Sequence, residues 1–141
     1  MKNVFKSQFV KSLLCVAFLL AGTVTSVVAQ SVMKFKTTDF AYKVNEGNGW
    51  TEWSDWEESS ILVVIDSNKD VITIYSEGTQ EFDIYEYEGQ EKSRDGGTID
   101  TYNSVDADGV RCQIRLRDYD DSSQLYVDYS NIMYVYNIAP R

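Results

Sequence analysis

Two short apolar runs on either side of a turn cluster constrain the fold of this chain more than any other feature. Residues 61–66 and 71–76 are rich in β-branched side chains, and the Ser-Asn-Lys-Asp cluster between them favours a reverse turn. A two-residue loop at the centre of that cluster sets Ile65 opposite Ile72 and keeps one face of the hairpin apolar. A slip of one residue would move every side chain to the other face, so the pattern predicts a hairpin in this register.

The next turn extends the sheet to a third strand. A three-residue loop centred on Gly78, which adopts a positive φ without strain, sets Ile74 opposite Phe82. The three strands then share one apolar face, made of Val63, Ile65, Ile72, Ile74, Phe82 and Ile84. The reverse face is less polar than a solvated face usually is, because it carries Leu62, Val64, Thr73, Tyr75, Tyr85 and Tyr87.

Similar patterns continue along the chain. Residues 33–44 alternate with a change of parity that predicts a bulge near Thr38, and residues 110–117 alternate cleanly. The charged, glycine-rich residues 88–97 are predicted to form a mobile loop.

Turns between neighbouring runs indicate an all-β fold, an antiparallel up-and-down meander of about eight strands that forms a small barrel, with a β-sandwich as the alternative.

Apolar residues that lie opposite each other on neighbouring strands predict which face of the last strands points into the barrel. A turn at residues 120–121 sets Leu116 against Leu125 and Ile114 against Val127, and it places Cys112 on the inward side. A final hairpin that turns at residues 130–131 adds three phenols and one isoleucine to that side, namely Tyr129, Ile132, Tyr134 and Tyr136.

The first 29 residues have the pattern of a secretory signal peptide. Three lysines lie in the first eleven residues, residues 13–21 are apolar, and the Val-Val-Ala that ends at Ala29 fits the small-residue cleavage rule. We expect cleavage after Ala29, a single barrel-like domain over residues 30–141, and a secreted or periplasmic protein. No segment of the chain approaches the roughly 18 uninterrupted apolar residues that predict a membrane span.

The charge of the chain limits its partners. The sequence has 13 basic and 22 acidic residues, and three of the basic ones lie in the predicted signal peptide, which leaves a formal charge of −12. A basic footprint for nucleic acid or anionic lipid is absent from such a composition. We therefore expect no nucleic-acid partner.

Several kinds of chemistry are excluded by composition. The chain has no histidine, so catalytic and zinc sites that depend on histidine cannot form. It has no glycine-rich phosphate motif, and its acidic turns, such as Asp106 with Asp108, lack the ligand spacing of a calcium loop. Cys112 is the one cysteine after the signal peptide, and an inward thiol without a basic partner is an inert hydrophobe. The sequence predicts a non-enzymatic protein without cofactor or metal.

Three tryptophans are spaced by three residues. The run formed by Trp50, Trp53 and Trp56 resembles the tryptophan ladder of thrombospondin type 1 repeats, in which arginines of a neighbouring strand lie between the indoles. Members of that family carry several disulfides, which this chain cannot make, so we retain from the resemblance only the stacking of cations on rings. In a regular strand this spacing places Trp53 on the opposite face from the other two.

The predicted barrel also resembles the lipocalin and fatty-acid-binding architecture. The dipeptide Gly49-Trp50 is similar to the lipocalin entrance motif, although a complete Gly-x-Trp would need glycine at Asn48. The resemblance implies an eight-stranded barrel, which has room for its own side chains or one small ligand.

Two functions agree with these patterns. The first is a non-enzymatic binding protein that presents an aromatic and arginine surface to a glycan or protein partner, because interfaces favour these residue types. Its candidate binding residues are Trp50, Trp53, Trp56, Tyr75, Tyr85, Tyr87, Arg111, Arg115 and Arg117. The alternative is a carrier of a small hydrophobic ligand, in an inner pocket with polar groups from Tyr129, Tyr134 and Tyr136.

Overall fold

The alternating runs of the sequence form strands throughout the part of the chain that the structure describes. The structure is a computed structural model that describes residues 31–141, so the predicted signal peptide at residues 1–29 lies outside the described residues. The described residues form nine strands: β1 (Val32–Val44), β2 (Glu57–Glu58), β3 (Leu62–Asp66), β4 (Val71–Ile74), β5 (Gln80–Lys92), β6 (Thr98–Asp106), β7 (Arg111–Asp118), β8 (Ser123–Asp128) and β9 (Ile132–Pro140).

The strands make a closed barrel. From β3 to β9, each strand pairs antiparallel with the next one in the sequence, and β3 also pairs with β1. β9 pairs with β1 from Phe35–Pro140 to Val44–Ile132, which closes the sheet, while the two-residue β2 is an additional strand on β1. The structure thus confirms the predicted all-β meander barrel and not the sandwich.

Alternate turns define the two ends of the barrel. We call the end with the turns after β4, β6 and β8 the upper end, and the end with the turns after β3, β5 and β7 the lower end. Ser31 and Arg141 both lie at the lower end, because β1 begins there and β9 finishes there.

Apolar side chains fill the middle of the barrel. Phe82, Ile114 and Leu125 are fully buried, and the predicted inward positions of β3 and β4 are buried with them. Full burial of a side chain of this size is worth about 1.5–3 kcal/mol. The complete cluster consists of Val63, Ile65, Ile72, Ile74, Phe82, Tyr102, Cys112, Ile114, Leu116, Leu125, Val127, Tyr136 and Ile138.

Most predicted registers are confirmed. Ile65 pairs with Ile72, although the loop between β3 and β4 contains four residues and not two. That loop ends at Asp70, whose φ of 53° is left-handed. The predicted Leu116–Leu125 pair is present, and a register shift between Thr37 and Asp39 confirms the bulge.

The predicted register between β4 and β5 is wrong by two residues. Ile72 pairs with Phe82, and Ile74 pairs with Gln80, which leaves a five-residue loop around Gly78. A shift of two residues keeps the same side chains on the same face, so the hydrophobic pattern does not distinguish the two registers. Phe82 therefore remains inward, as predicted.

Half of the predicted mobile loop at residues 88–97 is strand. β5 continues to Lys92, and only five residues connect it to β6. Two register shifts along β5, at Tyr85 and at Glu88, keep the strand paired with β6 where its alternation fails. The long β5–β6 hairpin was missed because each bulge interrupts the period-two pattern by which strands are recognised.

Candidate binding surface

The tryptophan segment lies along the edge of β1 that β3 does not reach. β3 pairs with β1 only as far as Lys36, and beyond this point the same edge pairs with the two-residue β2. After a turn closed by an Asn45–Trp50 bridge, the chain returns beside that edge. The Thr51 N–H donates to the Val44 carbonyl, and the Ser54 N–H donates to the Tyr42 carbonyl, both at 2.8 Å. These bonds fix the backbone that carries the indoles.

A lysine of β1 lies between two of the tryptophans. The Lys43 Nζ is 5.3 Å from the ring centroid of Trp50 and 4.8 Å from that of Trp53. The strand alternation that would separate Trp50 from Trp53 is therefore wrong, because this segment is irregular and both rings contact one ammonium. The expected layering of arginines between the indoles is wrong, because the arginines of β7 stack on tyrosines and Lys43 of β1 is the cation at the indoles.

The outer face beneath Trp53 is apolar and covered. Ala41 of β1 pairs with Val135 of β9, which pairs with Tyr126 of β8, and all three point away from the core. Ala41 is 1% exposed and Val135 is 3% exposed, although they lie on the outside of the barrel. The ring of Trp53 meets the ring of Tyr126 edge to face at 6.3 Å. Trp53 thus spans the rows of β1 and β9, which explains why these small residues are buried.

Two of the predicted arginines, Arg115 and Arg117, stack on the tyrosine that contacts Trp53. Arg115 lies opposite Tyr126, as its register predicts, and the Arg115 Cζ is 4.4 Å from the ring centroid. The Arg117 Cζ is 5.7 Å from the Tyr126 centroid and 5.1 Å from that of Tyr119. We call the set Trp50, Lys43, Trp53, Tyr126, Arg115, Arg117 and Tyr119 the cation–aromatic row.

Each of these two arginines lies beside a carboxylate. Arg115 donates from Nε and Nη2 to the two oxygens of Asp128, in a two-point geometry that fixes the guanidinium plane. The Arg117 Nη2 is 3.5 Å from Asp95 Oδ2, and its Nη1 donates to the Tyr126 hydroxyl at 3.4 Å. Arg115 is therefore neutralised and fixed, whereas the contacts of Arg117 are long and its carboxylate partner is exposed.

The other predicted surface residues lie elsewhere. Trp56 is 49% exposed and contacts none of the rings or cations of the row within residues 31–141. Tyr75 is exposed in the turn after β4, while Arg111 stacks on Tyr85 at 5.6 Å as a separate pair. The predicted surface is therefore divided, and only part of it belongs to the row.

Tyr87 lies on a different face from the one its spacing predicts. The bulge at Tyr85 moves Tyr87 to the inward side, where its ring stacks on Tyr102 with centroids 5.1 Å apart. Its hydroxyl donates to the Asp100 carboxylate, and this hydrogen bond raises the pKa of Tyr87 to about 12. Tyr87 therefore lies at the lower end of the barrel, where it is exposed, and not on the outer face that carries the row.

The three pocket tyrosines of the alternative prediction are also divided. Tyr129 and Tyr134 line a depression of about 520 Å³ at the upper end, together with Phe82 and Ile132. Tyr136 lies deeper, packs against Phe40 at 6.0 Å, and burial raises its pKa to about 12. Burial also raises the pKa of Tyr129, and its hydrogen bond to a carboxylate adds to that effect.

Three members of the row, Lys43, Tyr119 and Tyr126, were not among the binding residues predicted from the sequence, although the predicted register places Tyr126 opposite Arg115. Lys43 and Tyr119 lie in turn-flanking positions without a motif of their own. A signal for Lys43 was nevertheless present, because the Asn48-Gly49 turn folds the tryptophan segment back onto the strand that precedes it. Tyr119 had no such signal, since its position depends on the turn after β7.

The described residues were also compared with known site types and known proteins. Within residues 31–141, no helix is long and apolar enough to cross a membrane, and no cluster of three acidic or cysteine side chains is arranged to hold a metal. The fold defines a closed eight-stranded antiparallel barrel with one short additional strand. No family model, no curated protein and no solved structure matches the chain.

Proposed function

We propose that this chain is an exported, non-enzymatic binding protein of lipocalin-like architecture that contacts a glycan or protein partner through the cation–aromatic row. One observation carries the proposal, namely that two cations and one edge-to-face contact connect four aromatic rings into a continuous row on the outside of the barrel. Four of the predicted binding residues belong to the row, namely Trp50, Trp53, Arg115 and Arg117.

The exposure of the indoles supports a binding role. Trp50 is 40% exposed and Trp53 is 39% exposed, so each ring has one covered side and one side open to solvent. A partner that covers the open sides removes a large apolar area from water. Because Trp, Tyr and Arg carry most of the binding energy in known interfaces, the composition of the row agrees with this role.

Rigidity supports the same proposal. The backbone of the indole segment is hydrogen-bonded to β1, and Arg115 is held at two points by Asp128. Side chains that are fixed before binding lose little conformational entropy when a partner arrives. The barrel itself is filled with packed side chains, so it serves as a stiff support for the row.

Export and the absence of catalysis are supported by sequence. The predicted signal peptide directs the chain out of the cytoplasm, and a chain without histidine lacks the commonest general base. The charges of the row are paired with carboxylates or stacked on rings, which is an arrangement for contact and orientation. These features favour binding over turnover.

A paired substitution tests the proposal. The double variant Trp50→Ala/Trp53→Ala removes both indoles of the row, and Trp56→Ala removes an indole of similar exposure outside it. Partners are enriched on the immobilised protein from a panel of extracellular proteins and polysaccharides. We expect the double variant to lose every partner and Trp56→Ala to keep it, and partners that remain bound to the double variant would contradict the proposal.

A fluorescence measurement checks the state of the indoles before partners are known. Acrylamide should quench the tryptophan emission of the folded protein readily, because all three rings are at least 39% exposed. Addition of a genuine partner should shift the emission to the blue and reduce quenching. The double variant retains only Trp56, so its emission should not respond to the partner.

A second candidate function is carriage of a small hydrophobic ligand at the upper end. The depression there is about 520 Å³, and Phe82, Ile132, Tyr129 and Tyr134 line it together with acidic side chains such as Glu81. Since packed side chains occupy the middle of the barrel, such a ligand would bind at the mouth and not in the centre. Binding of a fluorescent fatty-acid probe that Tyr134→Ala abolishes and Trp53→Ala leaves intact would favour this function.

A further inference from the structure

The cation–aromatic row continues into a network of planar polar groups on the outer face of β8 and β9. The Tyr126 hydroxyl donates to Gln124 Oε1 at 2.9 Å, and Gln124 Nε2 donates to Asn137 Oδ1 at 2.9 Å. Gln124 pairs with Asn137 directly beside the Tyr126–Val135 pair that underlies Trp53. Two amide groups therefore lie beside the row at Tyr126.

We infer that this surface binds an uncharged polysaccharide chain, an inference that rests on the proposed function and names its partner. A sugar ring has a face of C–H groups that stacks on an aromatic ring, and a rim of hydroxyl groups that needs donors and acceptors beside the ring. The row provides the first through Trp50 and Trp53, the two exposed rings of the row. The adjoining amides provide the second.

The amides have capacity left for sugar hydroxyls. A primary amide has two N–H donors and an oxygen with two lone pairs. The single bond between Gln124 and Asn137 uses one donor of the first and one acceptor site of the second, and both side chains are only partly covered. Their orientation is fixed by the network, so hydroxyl groups meet them in one arrangement.

The spacing of the rings favours a chain over a single sugar. Because Lys43 Nζ contacts both indoles, the centroids of Trp50 and Trp53 are at most about 10 Å apart. Tyr126 follows Trp53 at 6.3 Å, and Arg117 and Tyr119 extend the row to the turn after β7. A monosaccharide covers one of the two exposed indoles, whereas an oligosaccharide covers both.

Charge selects an uncharged glycan over a polyanion. Asp128 neutralises Arg115, Asp95 lies beside Arg117, and the whole chain carries a formal charge of −9. A polyanionic glycan is repelled by this net charge at long range and meets few unpaired cations at contact. Stacking and hydrogen bonding with a neutral sugar depend neither on the net charge of the protein nor on unpaired cations.

Affinity electrophoresis and calorimetry with defined glycans test the inference. The full chain is titrated with neutral polysaccharides (a mannan, a xylan, a mixed-linkage β-glucan) and with two polyanions, heparin and polygalacturonate. We expect one neutral class to bind, with affinity that rises from the disaccharide to the tetrasaccharide. Binding should be unaffected by a threefold increase in salt.

Matched variants locate the site. Trp50→Ala and Trp53→Ala should each weaken binding about tenfold or more, as loss of a central aromatic contact does. Gln124→Ala should weaken it by a smaller factor, while Trp56→Ala should match the native protein. Thermal unfolding of each variant shows whether it is folded, and Trp50→Ala keeps the test valid if loss of Trp53 uncovers Ala41 and Val135.

Each other outcome overturns the inference in a distinct way. Binding of the polyanions alone, weakened by salt and by Lys43→Ala, would replace the uncharged glycan with an acidic one. Failure of all glycans, together with a protein partner that Trp53→Ala releases, would overturn the glycan inference and leave the proposed function intact. Glycan binding that survives Trp50→Ala/Trp53→Ala would overturn both.

Discussion

The hydroxyl of Tyr129 donates a hydrogen bond to Asp106 Oδ2 at 2.8 Å, across the upper end of the barrel. The other oxygen of Asp106 accepts the N–H groups of Asp108 at 3.0 Å and Val110 at 2.8 Å. One carboxylate therefore orders the turn between β6 and β7 and joins it to the turn after β8. This end of the barrel is held by side chains where strand pairing stops.

Removal of the Tyr129 hydroxyl tests the value of this link. Tyr129→Phe keeps the ring but deletes the donor, so we expect the free energy of unfolding to fall by about 1 kcal/mol. Urea denaturation measures the change. Tyr85→Phe is the control, because its ring is exposed, and it should alter stability by less than about 0.5 kcal/mol. Equal effects of the two variants would show that the link contributes nothing.

The same carboxylate predicts a dependence of stability on pH. Hydrogen bonds from the Val110 N–H, the Tyr129 hydroxyl and the Asp108 N–H hold the pKa of Asp106 below its ordinary value. The charged form is thus favoured in the folded state, so its stabilisation is present above the unfolded pKa of about 3.9 and is lost as pH falls through the lower folded pKa.

Asp106→Asn removes this titration. Urea midpoints of the two proteins should differ most at neutral pH, and the difference should shrink as the pH is lowered from about 5 towards 2.5. A difference that stays constant over this range would mean that Asp106 has the same pKa in the folded and unfolded chains.

Gly97 is predicted to be irreplaceable in the turn after β5. Its φ is +73°, and a Cβ at this position would lie 2.2 Å from the backbone oxygen of Asp118. Gly97→Ala should therefore lower the free energy of unfolding by about 2 kcal/mol or more. Gly78→Ala is the matched control, since a Cβ there meets no atom within 4 Å and should be neutral. A stable Gly97→Ala protein would contradict this account of the turn.

The thiol of Cys112 should be unreactive in the folded protein. Burial, and next the negative charges of Asp106 and Asp128, raise the pKa of Cys112 to about 11. At pH 8 the thiolate fraction is then about a hundredfold or more below that of a free cysteine. Alkylation by iodoacetamide, followed by peptide mapping, should reach Cys112 at full rate only in denaturant. Similar rates in both conditions would show an accessible thiol.

Inward and outward faces were predictable wherever a strand alternates without interruption. In β3, β4, β7 and β8 the alternation predicts the buried residues, and together with the turn clusters it predicts the Ile65–Ile72 and Leu116–Leu125 pairs. Each of these strands buries one face only, and an error of one residue would place its apolar side chains in water.

Bulges and irregular backbone account for what the sequence did not predict. A bulge at Tyr85 changes the face of Tyr87, and residues in such bulges follow no period. The contact of Lys43 with Trp50 and Trp53 depends on a backbone that is neither strand nor helix between the indoles. The stacking principle was therefore correct for the row, but the identity of the cation required the three-dimensional course of the chain.

The pairing of β1 with β9 makes the order of synthesis matter for folding. The edge of β1 that pairs with β9 has no partner until β9, the last strand, has been synthesised. This long edge therefore stays unpaired while nearly the whole chain is made. Contacts between the most distant parts of a sequence are slow to form and leave strand edges open to other chains. Closure between Phe35 and Pro140 is thus the expected late step, and any factor that shields β1 before then would raise the yield of folded protein.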